Sequence, residues 1–522
     1  MNLAEMLAEN ARIYPDESAL VELVPSKSVR KEITWKEFDE RANRIATALI
    51  DRGIKKDDKV IHWMMNSINW LEAYFGIIKT GAWAVPLNFR FSSEDLKYCA
   101  DIAGAKAMIF GEEFTDRVEA ARPSLGTISD FIFSGHSLPD GMEAMEEVIS
   151  KSSFEPPGIM LNGEDACGLY FTSGTTGMPK PILITHSNME SSAITENRSH
   201  YLTHEDNFIL IPPLYHTGAK MHWFGNLMVG GKGTILTEMN PRNVLDAVHN
   251  ERGTVVFMLV PWAQDILGAL DRGELNTDDY DFSSWRLMHM GAQPIPPSVV
   301  KHWREYFPDM QYDTTYGLSE TTGPGCVHLG IENEHKVGAI GKAGYNWETR
   351  IVDDEGTDVS PGEIGELIVK GGAVMKEYYK NPEKTAETLR EGWLFTGDMA
   401  RVDEEGYIYL VDRKKDVIIT GGENIYPVEV EGVLQAHPKI YDVGVIGVPD
   451  ARLGEIAAAV IDPQPGISLT EEEIKEFCEQ NLPRYKRPRR ILFDKVPRNP
   501  TGKIEKPKLR DKYAGYKESF KI

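Results

Sequence analysis

The chain contains little cysteine and no long apolar run. Its 522 residues include four cysteines, which stand far apart and form no Cys-x-x-Cys pair. This pattern argues against a disulfide framework or a cysteine-based zinc site, and it fits a reducing compartment. No apolar stretch reaches the roughly 18 residues of a membrane span. Because the acidic, amphipathic N-terminus differs from a signal peptide, we expect a cytoplasmic protein without a transmembrane segment.

A general excess of basic charge is also missing. The formal net charge is −23, which argues against a nucleic-acid binder, because such proteins usually carry basic stripes. Residues 480–522 are the exception, with 14 Lys and Arg against 4 Asp and Glu. A basic end on an acidic body indicates either an anionic ligand handled there or only a solvated basic face.

The order of predicted elements indicates an α/β fold. Thr34 and Glu37 form a capping box at the start of a predicted helix, and helices and buried strands then alternate. This alternation predicts a large body of wound α/β subdomains with largely parallel sheets. After residue 350, the Asp-Glu-Gly and Pro-Gly turns predict a β-rich subdomain, and a small α+β unit follows. We therefore predict an N-terminal body at 1–411, a boundary at the charged run 412–416 and a smaller C-terminal domain at 417–522.

The segment "YFTSGTTGMPK" (170–180) has the composition of a phosphate-binding loop. Gly174 and Gly177 allow backbone amides to turn inward around an anion, and Lys180 adds a positive charge. The lysine stands three residues after Gly177, so the loop is not a Walker A loop, which needs Lys directly after the second Gly. A polar surface turn is the alternative for this loop taken alone.

Three further segments place polar groups in an order that suits a nucleotide. "YGLSETTG" (316–323) offers the flat ring of Tyr316, a hydroxyl and the carboxylate of Glu320. Asp398 is suited to accept from a ribose hydroxyl, and Lys503 lies in a Pro/Gly turn beyond the predicted domain boundary. Each residue alone has an ordinary structural explanation as core, cap or solvated surface. Together and in this order they favour a nucleotide site.

Six segments now carry a specific resemblance over essentially the whole chain. They are "YFTSGTTGMPK", "YGLSE", "GEIGELIVKG", "WLFTGDMARVDEEGYIYLVDRKKDVI", "GGENIYPVEVE" and "NPTGKIEK". In sequence order they resemble the signature segments of the adenylate-forming superfamily, which includes acyl-CoA synthetases, adenylation domains and firefly-type luciferases. The chain is most similar to fatty-acyl or aryl CoA ligases within it. The resemblance implies that a carboxylate attacks the α-phosphorus of ATP with Mg²⁺ present, and that coenzyme A then takes the acyl group from the acyl-adenylate.

The resemblance also implies the residues that bind ATP. It places on the phosphates Thr172, Ser173, Gly174, Thr175, Thr176, Gly177, Lys180 and Ser319; around the adenine Gly291, Ala292, Gln293, Tyr316 and Gly317; and on the ribose Asp398 and Arg413. Glu320 would ligate Mg²⁺, and Lys503 would reach both the attacking carboxylate and the α-phosphate. Thr175 and Lys180 join these two as the expected catalytic set. Such chemistry depends on positioning and charge stabilisation and needs no protein nucleophile.

For the second step the resemblance implies that 412–416 is a hinge and that 417–522 is a mobile lid domain, which rotates about Lys415. Rotation would withdraw Lys503 and bring Gly422 and Glu423 to a tunnel for coenzyme A. The expected acyl pocket consists of His216, Met221, Trp223, Phe224 and Val327. His216 could instead be a satisfied core histidine, and the Met and aromatic residues could be plain core.

Several functions remain open at this point. A medium- or long-chain fatty acid is the favoured substrate, with an aromatic or alicyclic acid next. A carrier-loading enzyme, a non-catalytic nucleotide-binding relative and a luciferase-like oxygenase are the less favoured alternatives. We expect a homodimer, and leave peripheral membrane contact open. Where the superfamily usually has Gly after the loop lysine, this chain has Pro181, which should hold Lys180 in an extended conformation and leave the phosphate grip intact.

Overall fold

The computed structural model describes residues 2–172, 179–292, 295–323, 325–499 and 503–513. Within them the α-helices are, in chain order, α1 (Leu3–Ile13), α2 (Trp35–Asp51), α3 (Ile68–Lys79), α4 (Ser93–Ala103), α5 (Thr115–Ala121), α6 (Met145–Lys151), α7 (His186–His200), α8 (Thr217–Met228), α9 (Pro241–Glu251), α10 (Val260–Asp271), α11 (Pro297–Tyr306), α12 (Pro382–Thr388), α13 (Pro427–Gln435), α14 (Glu471–Asn481) and α15 (Lys506–Tyr513).

The strands begin with β1 (Ser18–Val24), β2 (Val29–Thr34), β3 (Lys59–Trp63), β4 (Trp83–Pro86), β5 (Ala107–Gly111), β6 (Asp130–Ser134), β7 (Glu143–Ala144), β8 (Ala166–Thr172), β9 (Lys180–Thr185), β10 (Asn207–Leu210), β11 (Lys232–Leu236), β12 (Val255–Leu259), β13 (Leu287–Gly291) and β14 (Gln311–Tyr316). They continue with β15 (Val327–His328), β16 (Lys342–Ala343), β17 (Trp347–Val352), β18 (Gly365–Gly371), β19 (Glu377–Tyr378), β20 (Leu389–Arg390), β21 (Trp393–Val402), β22 (Ile408–Arg413), β23 (Ile418–Thr420), β24 (Glu423–Ile425), β25 (Ile440–Asp450), β26 (Gly454–Pro463) and β27 (Arg490–Phe493).

Two large sheets form the N-terminal part of the molecule. One has the strand order β16-β15-β14-β13-β12-β10-β11-β1-β2, and the other has the order β19-β9-β8-β4-β3-β5-β6-β7. In both sheets the inner strands pair in parallel and the antiparallel pairs lie towards the ends. Parallel strands joined by helices need cover on both faces, and α3 and α8 are accordingly buried along almost their whole length. The predicted wound α/β body with largely parallel sheets is confirmed.

The β-rich subdomain follows the two large sheets in the chain. Strands β17, β18, β21 and β20 form an antiparallel sheet, with β22 paired to β21. The connection between β17 and β18 contains the Asp-Glu-Gly and Pro-Gly sequences from which we predicted a β-rich subdomain. Strands β21 and β22 carry Asp398 and Arg413, the two residues predicted for the ribose.

The C-terminal part is a smaller α+β unit. Its sheet has the order β24-β23-β26-β25, with β27 parallel to β26. Its own apolar cluster includes Ile418, Val430, Val445 and Ile474. The predicted order of helix, two strands and helix is confirmed by α13, β25, β26 and α14.

The capping boxes identified in the sequence are formed. Thr34 accepts from the backbone of Glu37 while the Glu37 carboxylate accepts from the backbone N–H of Thr34. Thr470 and Glu473 make the same pair at the start of α14. Among the described residues, no helix is both long and apolar enough to cross a bilayer.

Candidate active site

The site begins where two neighbouring parallel strands end. Strands β13 and β14 pair in parallel, with Met290 opposite Thr314, so their carboxyl ends lie at one edge of the sheet. Gly291 ends β13 and Tyr316 ends β14. Ala292 then adopts a φ of +69°, a conformation that non-glycine residues take mainly where the surrounding structure enforces it. The edge of the sheet thus brings together Gly291, Ala292, Tyr316 and Gly317, as predicted for the adenine.

Asp398 connects this edge to the β-rich subdomain. Its carboxylate accepts a hydrogen bond from the Tyr316 hydroxyl and, through Oδ1, forms an ion pair with Arg413 Nε at 2.5 Å. Asp398 and Arg413 are direct partners in the register of β21 and β22. Burial and the Asp398 charge raise the pKa of Tyr316, which keeps its hydroxyl a donor. The structure brings together the three residues predicted for the base and the ribose.

Glu320 lies one short turn beyond Tyr316, within the 3₁₀ turn Ser319–Thr321. Its Oε1 accepts from the Tyr378 hydroxyl at 2.7 Å, and its backbone oxygen accepts from Met375 N–H at 2.8 Å. Burial and the Glu320 charge raise the pKa of Tyr378, so Tyr378 remains a donor. The carboxylate is held in place yet partly exposed, and an oxygen ligand of this kind suits Mg²⁺.

Lys503 belongs to the C-terminal part but lies next to these groups. Burial and the positive charge of Arg413 lower its pKa to about 8, while the Asp398 and Glu320 carboxylates raise it. Lys503 N–H also donates to Asn499 Oδ1 at 2.9 Å. Lys503 thus lies beside Arg413, Asp398 and Glu320 although it belongs to the C-terminal part.

His216 stands at the start of α8, where its Nδ1 accepts from Gly218 N–H at 3.1 Å. Burial, together with the charges of Lys503 and Lys220, lowers the pKa of His216 to about 3. The ring is therefore neutral near pH 7, and it lies close enough to Lys503 for the lysine charge to lower the pKa of His216. This position agrees with a place at the mouth of the acyl pocket, which stays a prediction.

The other predicted acyl-pocket residues fall into two groups. Met221 packs next to Gly323, where a Cβ would lie 3.1 Å from Met221 Cγ, and Val327 pairs with Tyr316 across β14 and β15. Val327 therefore borders Tyr316, whereas Met221 borders Gly323, three residues beyond Glu320. By contrast, Trp223 packs against Gly233 of β11 and Phe224 against Tyr74 and Phe75. These last two side chains point into the core between α8 and its neighbours.

The flanks of the predicted phosphate loop form a hairpin. Thr172 at the end of β8 pairs with Lys180 at the start of β9, and the Thr172 hydroxyl contacts the Lys180 oxygen at 3.4 Å. Ser173, Gly174, Thr175, Thr176 and Gly177 lie outside the described residues, as does Gln293. Lys180 is extended, as Pro181 predicted, and Pro181 uses its carbonyl to accept from Tyr379 N–H at 2.9 Å.

The residues predicted for the second step lie in two turns, one before and one within the C-terminal part. Lys415 lies in the turn between β22 and β23. Gly421 and Gly422 both have positive φ and join β23 to β24, and a Cβ on Gly422 would meet open space. Among the described residues, no hydrogen bond or ion pair joins Gly422 or Glu423 to Asp398, Glu320 or Lys503. Their tunnel and hinge roles therefore stay predictions.

Two contacts at the site were missed by sequence reasoning. The Tyr378 hydroxyl that holds Glu320 comes from β19, and Arg90 Nη1 donates to the backbone oxygen of Arg498 at 3.3 Å, near the Lys503 turn. Neither residue lies in a recognisable motif, and each meets its partner only through the tertiary fold.

Two family models together match most of the chain. The model of the family described as AMP-binding enzyme matches residues 7–379, and the model of the AMP-binding enzyme C-terminal domain matches residues 429–503. The chain is 32% identical to a long-chain-fatty-acid–CoA ligase of Mycobacterium tuberculosis over 98% of this chain and 99% of that protein.

Two further relatives act on aromatic acids according to their names. A feruloyl-CoA synthase of Amycolatopsis sp is 34% identical over 92% of this chain and 94% of its own length. The crystal structure of an anthranilate CoA ligase in complex with anthranoyl-AMP superposes with a TM-score of 0.90 at 26% identity, covering 98% of this chain and 97% of that one.

The lowered pKa of Lys503 makes a testable prediction. In the free protein, the reaction of its amine with an amine-selective acylating reagent should reach half its maximal rate near pH 8. An ordinary lysine has a pKa of about 10.4. Peptide mapping by mass spectrometry over a pH series measures this midpoint, and the exposed Lys495 provides the internal comparison.

Arg413→Gln should raise the pH at which the acylation of Lys503 is half-maximal, because it removes a positive charge that disfavours the ammonium form. A Lys503 midpoint that coincides with that of Lys495 in the unmodified chain would contradict the placement of Lys503 beside Arg413.

Proposed function

The chain belongs to the family of AMP-binding enzymes, and on that basis we propose how its residues activate a carboxylic acid. It is an AMP-forming acid–thiol ligase of the acyl- or aryl-CoA ligase type and uses ATP, Mg²⁺ and coenzyme A. We propose a medium- or long-chain fatty acid as its substrate. Support comes from the long-chain-fatty-acid–CoA ligase that matches nearly the full length. The buried apolar side chains Met221, next to Gly323, and Val327, paired with Tyr316, are the proposed wall of the acyl pocket.

In the proposed first step a carboxylate oxygen of the acid forms a bond to the α-phosphorus of ATP, and the bond to pyrophosphate breaks. Tyr316 lies against the adenine, and Asp398 accepts from the ribose hydroxyls while its ion pair with Arg413 orients the carboxylate. Lys503 donates to both the attacking carboxylate and the α-phosphate, where negative charge accumulates. Positioned charges of this kind in a partly dry site contribute strongly to catalysis.

The donor set at Glu320 fits a magnesium ion. A carboxylate oxygen is a hard ligand of the kind Mg²⁺ prefers, and the Tyr378 hydrogen bond fixes its orientation. When bound, the ion neutralises charge on the ATP phosphates. Thr172 and Lys180 flank the loop that we propose to hold the β- and γ-phosphates, and we propose that Ser319 contacts the α-phosphate.

In the proposed second step the thiolate sulfur of coenzyme A bonds to the acyl carbon, and AMP leaves with the bonding electrons. Domain bounds of 1–411, 412–416 and 417–522, rotation about Lys415 and a tunnel at Gly422 and Glu423 are all part of this proposal. We also propose that the protein forms a homodimer, is located in the cytoplasm and makes peripheral contact with a membrane.

An aromatic acid is the second candidate substrate. The feruloyl-CoA synthase and the anthranilate CoA ligase favour it, the latter through its TM-score of 0.90. The fatty-acyl and aryl alternatives share the adenylation residues, so they differ only in the acyl pocket.

Two substitutions should separate the two steps. Lys503→Ala should lower the rate of adenylate formation by about 100- to 1000-fold and leave thioester formation from supplied acyl-adenylate near its original rate. Lys415→Pro should do the reverse, because proline fixes φ at the predicted pivot. Pyrophosphate release and thioester formation are measured separately, with Lys495→Ala as the matched control. If both lesions affect the same step, the proposed domain rotation is wrong.

A panel of acids decides the substrate class. Pyrophosphate release should show the highest kcat/KM with straight-chain fatty acids such as dodecanoate, and the product thioester should require coenzyme A. Ferulate, benzoate and amino acids complete the panel. A preference for ferulate or benzoate would replace the fatty-acid proposal with the aromatic one. Turnover that needs an added carrier protein would refute coenzyme A as the acceptor.

A further inference from the structure

A second cluster of polar side chains lies wholly inside the N-terminal part and shares no residue with the proposed adenylation site. It contains six ionisable residues, each at most 6% exposed: Glu196, His200, His222, His289, Asp313 and His328. They come from α7, α8, β13, β14 and β15. Ionisable groups are rarely buried together without partners that stabilise their charge, so this cluster needs an explanation.

Three imidazole nitrogens converge on one carboxylate oxygen. Oε1 of Glu196 lies 2.8 Å from His200 Nδ1, 2.8 Å from His222 Nδ1 and 3.6 Å from His289 Nδ1. Ligand atoms of Glu196, His200 and His289 all lie within 4.8 Å of one another. Atoms about 2 Å from a common ion are separated by distances of this order.

The far side of two of these rings is already held. His200 Nε2 lies 2.7 Å from Asp313 Oδ2, and His289 Nε2 lies 3.1 Å from the Thr315 hydroxyl. Asp313 is fixed in turn, because its Oδ1 accepts from the N–H groups of Thr314 and Gly330, both at 2.8 Å. A histidine that binds a metal typically uses its other nitrogen in this way, towards a carboxylate or another oxygen.

On the side of the two rings that faces Glu196, polar atoms lack hydrogen-bond partners. The Nδ1 atoms of His200 and His289 and Oε2 of Glu196 are buried and have no hydrogen-bond partner. His200 Nδ1 is close to Glu196 Oε1 but does not meet it with hydrogen-bond geometry. A buried polar atom without a partner is costly, and here such atoms face one another.

The charges of the cluster also call for a cation. Glu196 and Asp313 are two carboxylates in a dry interior, and within the described residues no Lys or Arg forms an ion pair with either. Among the described residues, the ionisable side chains that face them are histidines: His200, His222 and His289 around Glu196, and His200 and His328 around Asp313. Either a proton shared among these rings or a bound metal ion supplies the positive charge.

We propose that Glu196, His200 and His289 bind one divalent transition-metal ion of borderline softness, with Zn²⁺ as the representative. Imidazole and carboxylate ligands suit this class of ion. Asp313 and Thr315 hold the outer nitrogens of the two histidines, and His222 donates to Glu196. The ion would connect α7 to β13 and, through Asp313, to β14 and β15, the strand that contains Val327.

Metal binding to the full-length chain tests this site directly. The protein is purified without a polyhistidine tag, treated with a chelator and dialysed against Zn²⁺ or Co²⁺. Atomic emission should then find one tightly held ion per chain, and bound Co²⁺ should show visible absorption bands. Glu196→Gln, which keeps the side-chain shape, and His289→Asn should each weaken binding at least tenfold. Asp313→Asn should weaken it about 10- to 100-fold through the orientation of His200.

The control is His302→Asn, which alters a surface histidine paired with Asp271 and should leave metal binding unchanged. Circular dichroism and thermal unfolding show whether each variant is folded. The proposal is overturned if the unmodified chain retains no Zn²⁺ and gives no Co²⁺ bands, which means that a proton stabilises the cluster. It is equally overturned if a folded Glu196→Gln variant binds as tightly as the unmodified chain. The first result needs no variant, so a failure of Glu196→Gln to fold leaves the test intact.

Discussion

The carboxylate of Asp398 is the constraint on which the candidate active site depends. It joins the large parallel sheet, through the Tyr316 hydroxyl, to the β-rich subdomain, through Arg413. A buried carboxylate is stable only with such partners, so the two subdomains are locked at the point where the base and ribose of a nucleotide would lie. The charge of Arg413 then acts on Lys503 from the C-terminal part. One small network thus positions groups from three parts of the chain.

Lys503 shows how the architecture relates to a two-step reaction. In the proposed mechanism its ammonium acts near the α-phosphate in the first step, and the same space then admits a thiol. Under that proposal, a residue contributed by a separate unit can leave without disturbing Asp398, Glu320 or Tyr316, which belong to the body. Arg90 Nη1 donates to the Arg498 carbonyl at 3.3 Å, an exposed contact between the body and the segment that leads to Lys503.

Much of the fold and part of the site could be predicted from the sequence. The capping boxes at Thr34 and Thr470, the alternation of helices and strands and the hairpins after residue 350 are local signals, and the structure confirms them. Asp398, Arg413 and Tyr316 were found because they stand in recognisable motifs. Tyr378 and the Glu196 cluster were not, because their partners come from distant segments and only the tertiary fold creates the contact. Trp223 and Phe224 show the same limit, since helical spacing alone does not tell which side of α8 faces the pocket.

A crystal structure of the chain with a non-hydrolysable acyl-sulfamoyl analogue of the adenylate tests the central claim most directly. The Asp398 carboxylate should accept hydrogen bonds from both ribose hydroxyls, with the Tyr316 ring against the adenine and the acyl chain running past Met221 and Val327. Adenosine bound away from Asp398, or an acyl chain that leaves by another route, would contradict the assignment of this site.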